Sequence, residues 1–286
     1  MITDISYVKK YLPVHKPDAH KGNRGRVLII GGSTGFTGAV CMAAEAALKS
    51  GTGLITAAVP KSLNQVFEIK LTEVMTLPLE DKEGSFVTEA YENALAFGMS
   101  CDCVAIGPGA GVNEGTREIL KQFVLNYNKK LVLDADALNV LSEDTSILKQ
   151  SQCDILITPH AGEMSRLVNK SIEEILSDRT KTATDFAKEF GVNVLLKGKD
   201  TIITDGKDVF INPTGNNGMA KGGSGDVLTG ICASLAAQGT DCFNAGIIGA
   251  YIHGLAGDMA KEKFTDYSMT PCDIIGCLGN AFKEII

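Results

Sequence analysis

The chain has 286 residues, of which 44% are hydrophobic and 21% charged. That excludes a disordered chain and gives room for one large α/β domain with a full core. A net charge of −7 excludes a protein that grips nucleic acid through a basic face, so anionic metabolites would have to be met by local lysines and helix N-termini. The eight cysteines contain no Cys-x-x-Cys pair and read as buried free thiols in a reducing compartment, not as a zinc site or disulfide staples. The segment from Met1 to Pro13 has no apolar signal core, and no run reaches the roughly 18 apolar residues of a membrane span. A cytoplasmic protein with no membrane partner is expected.

In chain order, Val27–Ile30 is a short continuous apolar run, the pattern of a strand buried on both faces of a parallel sheet. It leads into Gly31-Gly32-Ser33-Thr34-Gly35-Phe36-Thr37-Gly38 and then a helical stretch, Ala39–Ser50. A glycine-rich strand-to-helix turn suggests a dinucleotide site, but its spacing is Gly-x-x-Gly-x-x-Gly from Gly32, not the Rossmann fingerprint. The next strand, Leu54–Val59, ends in Pro60-Lys61 where an acidic ribose ligand would stand, which argues against a standard hydride-transfer site. The turn is either a tight connection without a ligand or a loop against which another ligand packs closely.

Cys103–Ile106 is a further strand, followed by Gly107-Pro108-Gly109-Ala110-Gly111. Ligands of open α/β sheets sit beyond the carboxyl ends of strands, and glycines allow close approach to the backbone there. Glu114–Tyr127 places Ile119, Leu120, Phe123, Val124 and Tyr127 on one helical face. The strands Leu131–Leu133, Asp154–Ile157 and Asn193–Leu196 follow, with a helix over Thr180–Phe190. This alternation predicts a doubly wound, mostly parallel sheet flanked by helices, in one domain over residues 1–286. Past residue 200, Thr201–Thr204, Asp205-Gly206 and Val209–Ile211 predict a small antiparallel hairpin closed by a type I′ turn. The remainder reads as helical from Gly225, with Gly239 as a C-cap and a second helix over Cys242–Lys261.

The strongest motif is Gly222-Gly223-Ser224-Gly225-Asp226, preceded by Lys221 and opening an apolar-periodic helix. Unpaired N–H groups at a helix start form an anion cradle. No Gly-Lys-Ser/Thr follows, so it is not a Walker A loop. Asp226 is either a first-turn cap or a base that activates a hydroxyl.

At this loop the sequence resembles the ribokinase-like superfamily, and within it the NAD(P)H-hydrate dehydratase family. The resemblance rests on His20-Lys21-Gly22-Asn23-Arg24-Gly25-Arg26, Gly31-Gly32-Ser33 with Thr37-Gly38-Ala39, and Gly51-Thr52-Gly53-Leu54. It continues through Leu133-Asp134-Ala135-Asp136-Ala137-Leu138-Asn139, Thr158-Pro159-His160-Ala161-Gly162-Glu163, Leu196-Lys197-Gly198-Lys199-Asp200-Thr201, and Gly218-Met219-Ala220 to Asp226. The resemblance implies a ribokinase-like fold and repair of hydrated NADH or NADPH. In that reaction the ring hydroxyl is phosphorylated from ADP or ATP, with magnesium on the donor phosphates, and phosphate is then eliminated.

By the same resemblance, Asp226 would be the base, and the N–H groups of Gly223, Ser224 and Gly225 the anion hole. Ala39, Gly109, Gly111 and His160 would contact the hydrated dinucleotide, with Asp226. Lys197, Gly198, Lys199, Asp200, Thr201 and Gly225 would hold the donor nucleotide, ADP by family preference. The residues themselves leave two matters open: His160 could be a hydrogen-bonded structural histidine, and Lys197 and Lys199 could be solvated charges on a strand edge. Asp134 and Asp136 read as loop caps or as magnesium-water contacts, with capping the favoured reading. Related kinases carry Asn-x-x-Glu where this chain has His160-x-x-Glu163; Glu163 could still order magnesium-bound water. Some family members carry an N-terminal epimerase; the resemblance here is to the stand-alone dehydratase and implies a homotetramer. The competing readings are a ribokinase-like kinase of a vitamin-precursor alcohol and a nucleotide sensor without turnover, for which a base at Asp226 would be superfluous.

Overall fold

The structure, a computed structural model, describes residues 1–286. Eleven strands are present: β1 Arg26–Ile30, β2 Leu54–Pro60, β3 Met75–Leu79, β4 Asp81–Lys82, β5 Ser85–Phe86, β6 Cys103–Ile106, β7 Lys130–Leu133, β8 Asp154–Ile157, β9 Asn193–Leu196, β10 Thr201–Thr204 and β11 Val209–Asn212. The helices are α1 Ile5–Tyr11, α2 Thr37–Lys49, α3 Asn64–Lys70, α4 Ala90–Gly98, α5 Glu114–Asn126, α6 Asp136–Leu141, α7 Ala161–Val168, α8 Ile172–Ser177, α9 Arg179–Phe190, α10 Ser224–Ala237, α11 Cys242–Ser268 and α12 Pro271–Ile285.

Nine strands form one sheet in the order β11-β10-β9-β8-β7-β6-β1-β2-β3. From β3 to β9 every pairing is parallel, and β10 and β11 continue it antiparallel. The mostly parallel, helix-flanked sheet with its antiparallel hairpin is therefore as the sequence predicts. Strands that bury both faces divide their side chains between two cores by the period of two. Val27 and Ile29 join the core under α2, α10, α11 and α12, while Leu28 and Ile30 join the one under α4, α5, α6, α7 and α9. From β1 the chain winds outward to β3, then returns to β6 on the other side of β1. The loops after β1 and β6 thus meet at the point where winding reverses, the crevice in which such sheets bind ligands.

The helices α2 and α10 pack so closely that a Cβ on Gly230 would fall 2.0 Å from the Ala43 carbonyl oxygen. Replacing Gly230 with Ala is expected to cost about 1–3 kcal/mol by overpacking, read as a fall in urea midpoint with unchanged m-value. No helix is long and apolar enough to cross a membrane.

Several local expectations need correction. β3 escapes the apolar-run criterion because it is an edge strand, with Pro78 in it and Met75 exposed, and Pro is tolerated only where no ladder bond is lost. The β4–β5 ribbon is likewise too short to register. The β10–β11 connection is not a type I′ turn. It spans Asp205 to Asp208, only Gly206 has positive φ, and the Asp205 carboxylate accepts from the Lys207 and Asp208 N–H groups. The helix α11 runs on to Ser268, with a kink at Thr265. All eight cysteines are free thiols, but Cys272 is exposed and Cys153 only partly buried.

Candidate active site

Three loop systems converge on the carboxyl edge of the sheet. The first is the start of α10. Its N-cap is Gly223, whose φ of 102° is one that residues with a Cβ rarely adopt. No side chain caps this helix. The Ser224 N–H bonds back to the Lys221 carbonyl and that of Val227 to Gly223, whereas the N–H groups of Gly223, Gly225 and Asp226 find no partner in the chain. Of the three expected anion-hole donors, Gly223 and Gly225 are therefore free, Ser224 is engaged, and Asp226 supplies a further free N–H. The approach to this loop is pinned to α11 and its C-cap: Lys221 Nζ donates to the carbonyls of Tyr267 and the capping Met269, and Asn216 Nδ2 to Asp258.

Asp226 lies in the first turn, partly buried, and its carboxylate accepts no hydrogen bond. It is therefore not a hydrogen-bonded cap, although it stands in the first turn, where a carboxylate suits the positive end of the helix. Burial pushes its pKa up to about 7; the neighbouring carboxylate of Asp134 adds to the rise and the ammonium of Lys197 opposes it. A free carboxylate tuned close to neutral pH, beside unpaired N–H groups, suits a general base next to an anion cradle.

The second system is the end of β9. Lys197 Nζ sits 2.7 Å from Asp134 Oδ1 and 3.7 Å from Glu163 Oε2, with its side chain 19% exposed. Burial alone would lower its pKa, but the two carboxylates outweigh burial and hold it charged. Lys197 is thus no solvated edge charge, whereas Lys199 and Asp200 are exposed. Arg179, which the sequence reading passed over, holds this loop from α9. Its Nη1 donates to the Lys199 carbonyl at 2.6 Å and its Nη2 to that of Leu196 at 2.9 Å. Gly198 (φ 150°) lies against that guanidinium, where a Cβ would come within 2.9 Å of Nη2, and Thr201 Oγ1 donates to the Gly198 carbonyl.

His160 caps α7. Its Nδ1 accepts from the N–H groups of Gly162 and Glu163, and Glu163 Oε2 accepts from the His160 N–H in return. Nδ1 is therefore an acceptor, and the proton of the neutral ring belongs on Nε2, which lies 3.4 Å from Glu163 Oε1. Burial, with Lys197 and Arg166 nearby, lowers the pKa of His160. The hydrogen-bonded reading of this histidine holds, and 55% of its side chain remains exposed. Glu163 is buried, which raises its pKa against the opposing pull of Lys197.

The third system is the switch point. Ser33 Oγ donates to the Gly109 carbonyl at 2.8 Å, and Gly32 N–H to that of Pro108 at 2.9 Å. A Cβ on Gly109 (φ 62°) would stand 2.6 Å from the Phe36 carbonyl oxygen and 3.1 Å from Ala39 Cβ, so the two glycine-rich loops touch at that point. Gly111 N–H donates to Asp136 Oδ2, which makes Asp136 the loop cap it was expected to be. Asp134 is not a cap, since its two oxygens take Lys197 and Thr229. Met42, on α2 one turn beyond Ala39, lies against Gly223, where a Cβ would be 2.6 Å from its Cε. It joins the third system to the first and carries no sequence signal beyond helical spacing.

A family model described as NAD(P)H-hydrate dehydratase matches residues 27–279. The chain is 43% identical over 283 residues to the bifunctional NAD(P)H-hydrate repair enzyme Nnr of Moorella thermoacetica, covering 98% of this chain and 53% of that one. It is 36% identical to the enzyme of the same name from Dictyoglomus turgidum, covering 100% of this chain and 56% of that one. The chain thus spans about half the length of these curated relatives. A ribokinase-like superfamily protein from Enterococcus faecalis superposes with a TM-score of 0.83 at 27% identity over 99% of this chain and 95% of that one. The ADP/ATP-dependent NAD(P)H-hydrate dehydratase of Bacillus subtilis, co-crystallized with ATP/Mg2+, shares the fold with a TM-score of 0.84 at 24% identity over 100% and 98%. With its ribokinase-like fold and a match over nearly its whole length, the chain belongs to the NAD(P)H-hydrate dehydratase family, a family of hydro-lyases.

Proposed function

We propose that the protein restores NADH or NADPH from the hydrated form by phosphorylating the C6 hydroxyl and eliminating phosphate, with ADP, or alternatively ATP, as donor. The observation that carries this reading is the carboxylate of Asp226, free of partners and tuned to about 7, beside the unpaired N–H groups at the start of α10. Asp226 takes the proton of the hydroxyl as its oxygen attacks the terminal phosphorus of the donor. The bond to the leaving oxygen breaks, and AMP (or ADP) departs. The N–H groups of Gly223, Gly225 and Asp226 stabilise the charge on the transferring group. The C6–O bond of the phosphate ester then breaks with its electrons, a ring proton is lost, and the double bond returns.

Positioning falls to the other loops. Ala39, Gly109, Gly111 and His160 would seat the dinucleotide, and the Lys197–Thr201 loop the donor phosphates. No three His, Cys, Asp or Glu side chains gather to hold a metal directly, so magnesium would be held through its waters and the substrate phosphates, with a single carboxylate beside them, as this ion allows. Glu163 would hold it that way, and the ion would neutralise charge on the donor phosphates. A homotetramer is part of the proposal by family membership.

Hydrated NADH incubated with the protein and each donor in parallel is expected to regain the absorbance of NADH with ADP; no recovery with either donor would contradict the reading. Leucine at Ala39 is expected to raise KM for the hydrated dinucleotide about tenfold or more, the effect of overfilling a close contact, with ADP binding by calorimetry unchanged. An equal loss of ADP binding would make the turn merely structural.

A further inference from the structure

Resting on the assignment of Asp226 as base, we propose that Asp134 is a positioning residue of this reaction. Its carboxylate grips the Lys197 ammonium and the Thr229 hydroxyl at once, fixing the cation beneath the start of α10 and keeping it off Asp226.

Asp134 follows the last residue of β7 and is 1% exposed. Its Oδ1 accepts from Lys197 Nζ at 2.7 Å, at the end of β9, and its Oδ2 from Thr229 Oγ1 at 2.7 Å, on α10. One buried group therefore ties together two elements that the reaction needs in register. Thr229 comes three residues after Asp226, so the two share a face of α10 one turn apart. The Asp134–Thr229 bond accordingly anchors, one turn along, the face of the helix that presents the base.

The ion pair presses directly on the anion-hole turn. A Cβ on Gly225 would stand 3.3 Å from Lys197 Nζ and 3.9 Å from Asp134 Oδ2. A positive charge there adds to the positive end of the helix. Lys197 pairs with Asp134 and Glu163 and makes no ion pair with Asp226. That choice is not automatic, because lysine is a point charge on a flexible four-carbon stem. Asp226 faces Asp134, Asp136 at the start of α6, Glu163 on α7 and Lys197. His253 of α11, beside Ser224, is kept neutral by burial, which lowers its pKa to about 4. Lys197 is thus the one cation among these groups, and its distance from Asp226 sets how far it offsets the rise that burial and Asp134 impose. Held by Asp134, it supports the anion hole; released to Asp226, it would lock the base in an ion pair.

The test is repair of hydrated NADH with ADP, followed across pH, in the intact protein and in Thr229→Val, Thr229→Ser and Asp134→Asn. Thr229→Val keeps shape but loses the hydroxyl, and kcat is expected to fall about tenfold, the worth of a buried hydrogen bond to a charged group, with KM for ADP unchanged. Thr229→Ser restores the donor and the rate. In Asp134→Asn a negative neighbour is lost and Lys197 is freed to pair with Asp226. The acid limb of kcat/KM is therefore expected to move to lower pH as kcat falls. If Asp134→Asn does not fold, loss in Thr229→Val with recovery in Thr229→Ser carries the test. Folded variants with an unmoved limb and an unchanged kcat would overturn the positioning role alone, leaving a structural ion pair. A wild-type protein that fails to turn over in the same assay would overturn the underlying assignment as well.

Discussion

Replacing Asp226 with Asn is expected to abolish repair while leaving ADP binding intact and raising thermal stability at alkaline pH. The loss of rate should be about a thousandfold, within the range for a general base. The stability gain follows from the sign of the shift. The folded-state pKa of Asp226 is raised from 3.8 to about 7 by burial and by Asp134. The folded protein therefore holds a proton that the unfolded chain gives up as pH rises between those values, and stability falls across that window. Asparagine carries no such charge, so the variant should gain about 2–4 kcal/mol above neutrality, the full shift reduced by solvent screening of a partly exposed group, and nothing in acid below both values. Calorimetric Tm across pH, beside ADP titration and the repair assay, measures all three effects. The same ionisation predicts that wild-type kcat/KM rises through pH 7 as the base deprotonates. Near-normal turnover in the asparagine variant would reduce Asp226 to a first-turn carboxylate.

Lys197→Met is expected to be both inactive and strongly destabilised. Methionine matches the aliphatic stem but leaves Asp134 and Glu163, both buried, without their cation. Removing one member of a buried charge cluster costs about 3–5 kcal/mol, because what remains is uncompensated charge. The deficit should shrink as pH falls, since Glu163, whose pKa burial raises, then takes up a proton and sheds its charge. Urea unfolding at several pH values measures it. A variant as stable as the parent at every pH would mean that water, not Lys197, balances these carboxylates.

The sheet was legible because parallel strands buried on both faces leave continuous apolar runs, as in Cys103–Ile106 and Asn193–Leu196. The edge strand β3 left no such mark, since Pro78 and exposed Met75 break the pattern. The glycine-rich start of α10 was legible for a related reason: its backbone chemistry is local, and glycines with an aspartate before an apolar helix announce it. The role of Asp134 was not legible. Its partners are 63 and 95 residues away in sequence, at Lys197 and Thr229, and an aspartate just past a strand end reads by default as a loop cap. Arg179 was hidden in the same way, as its partners are loop carbonyls that any sequence would supply. His160 carried a signal that could have been used. His160-x-x-Glu163 has the spacing of a capping box, with imidazole Nδ1 where serine or threonine oxygen usually stands.

The central claim is that the hydroxyl leaves as phosphate, not as water. Hydrated NADH labelled with heavy oxygen at the C6 hydroxyl, treated with the protein and unlabelled ADP, tests it most directly. Attack by that oxygen on phosphorus and later cleavage of its bond to carbon carry the label into inorganic phosphate, with one labelled phosphate and one AMP formed per NADH. Mass spectrometry of the released phosphate should show the label. Unlabelled phosphate, with the heavy oxygen recovered in water, would mean direct dehydration and would contradict the account.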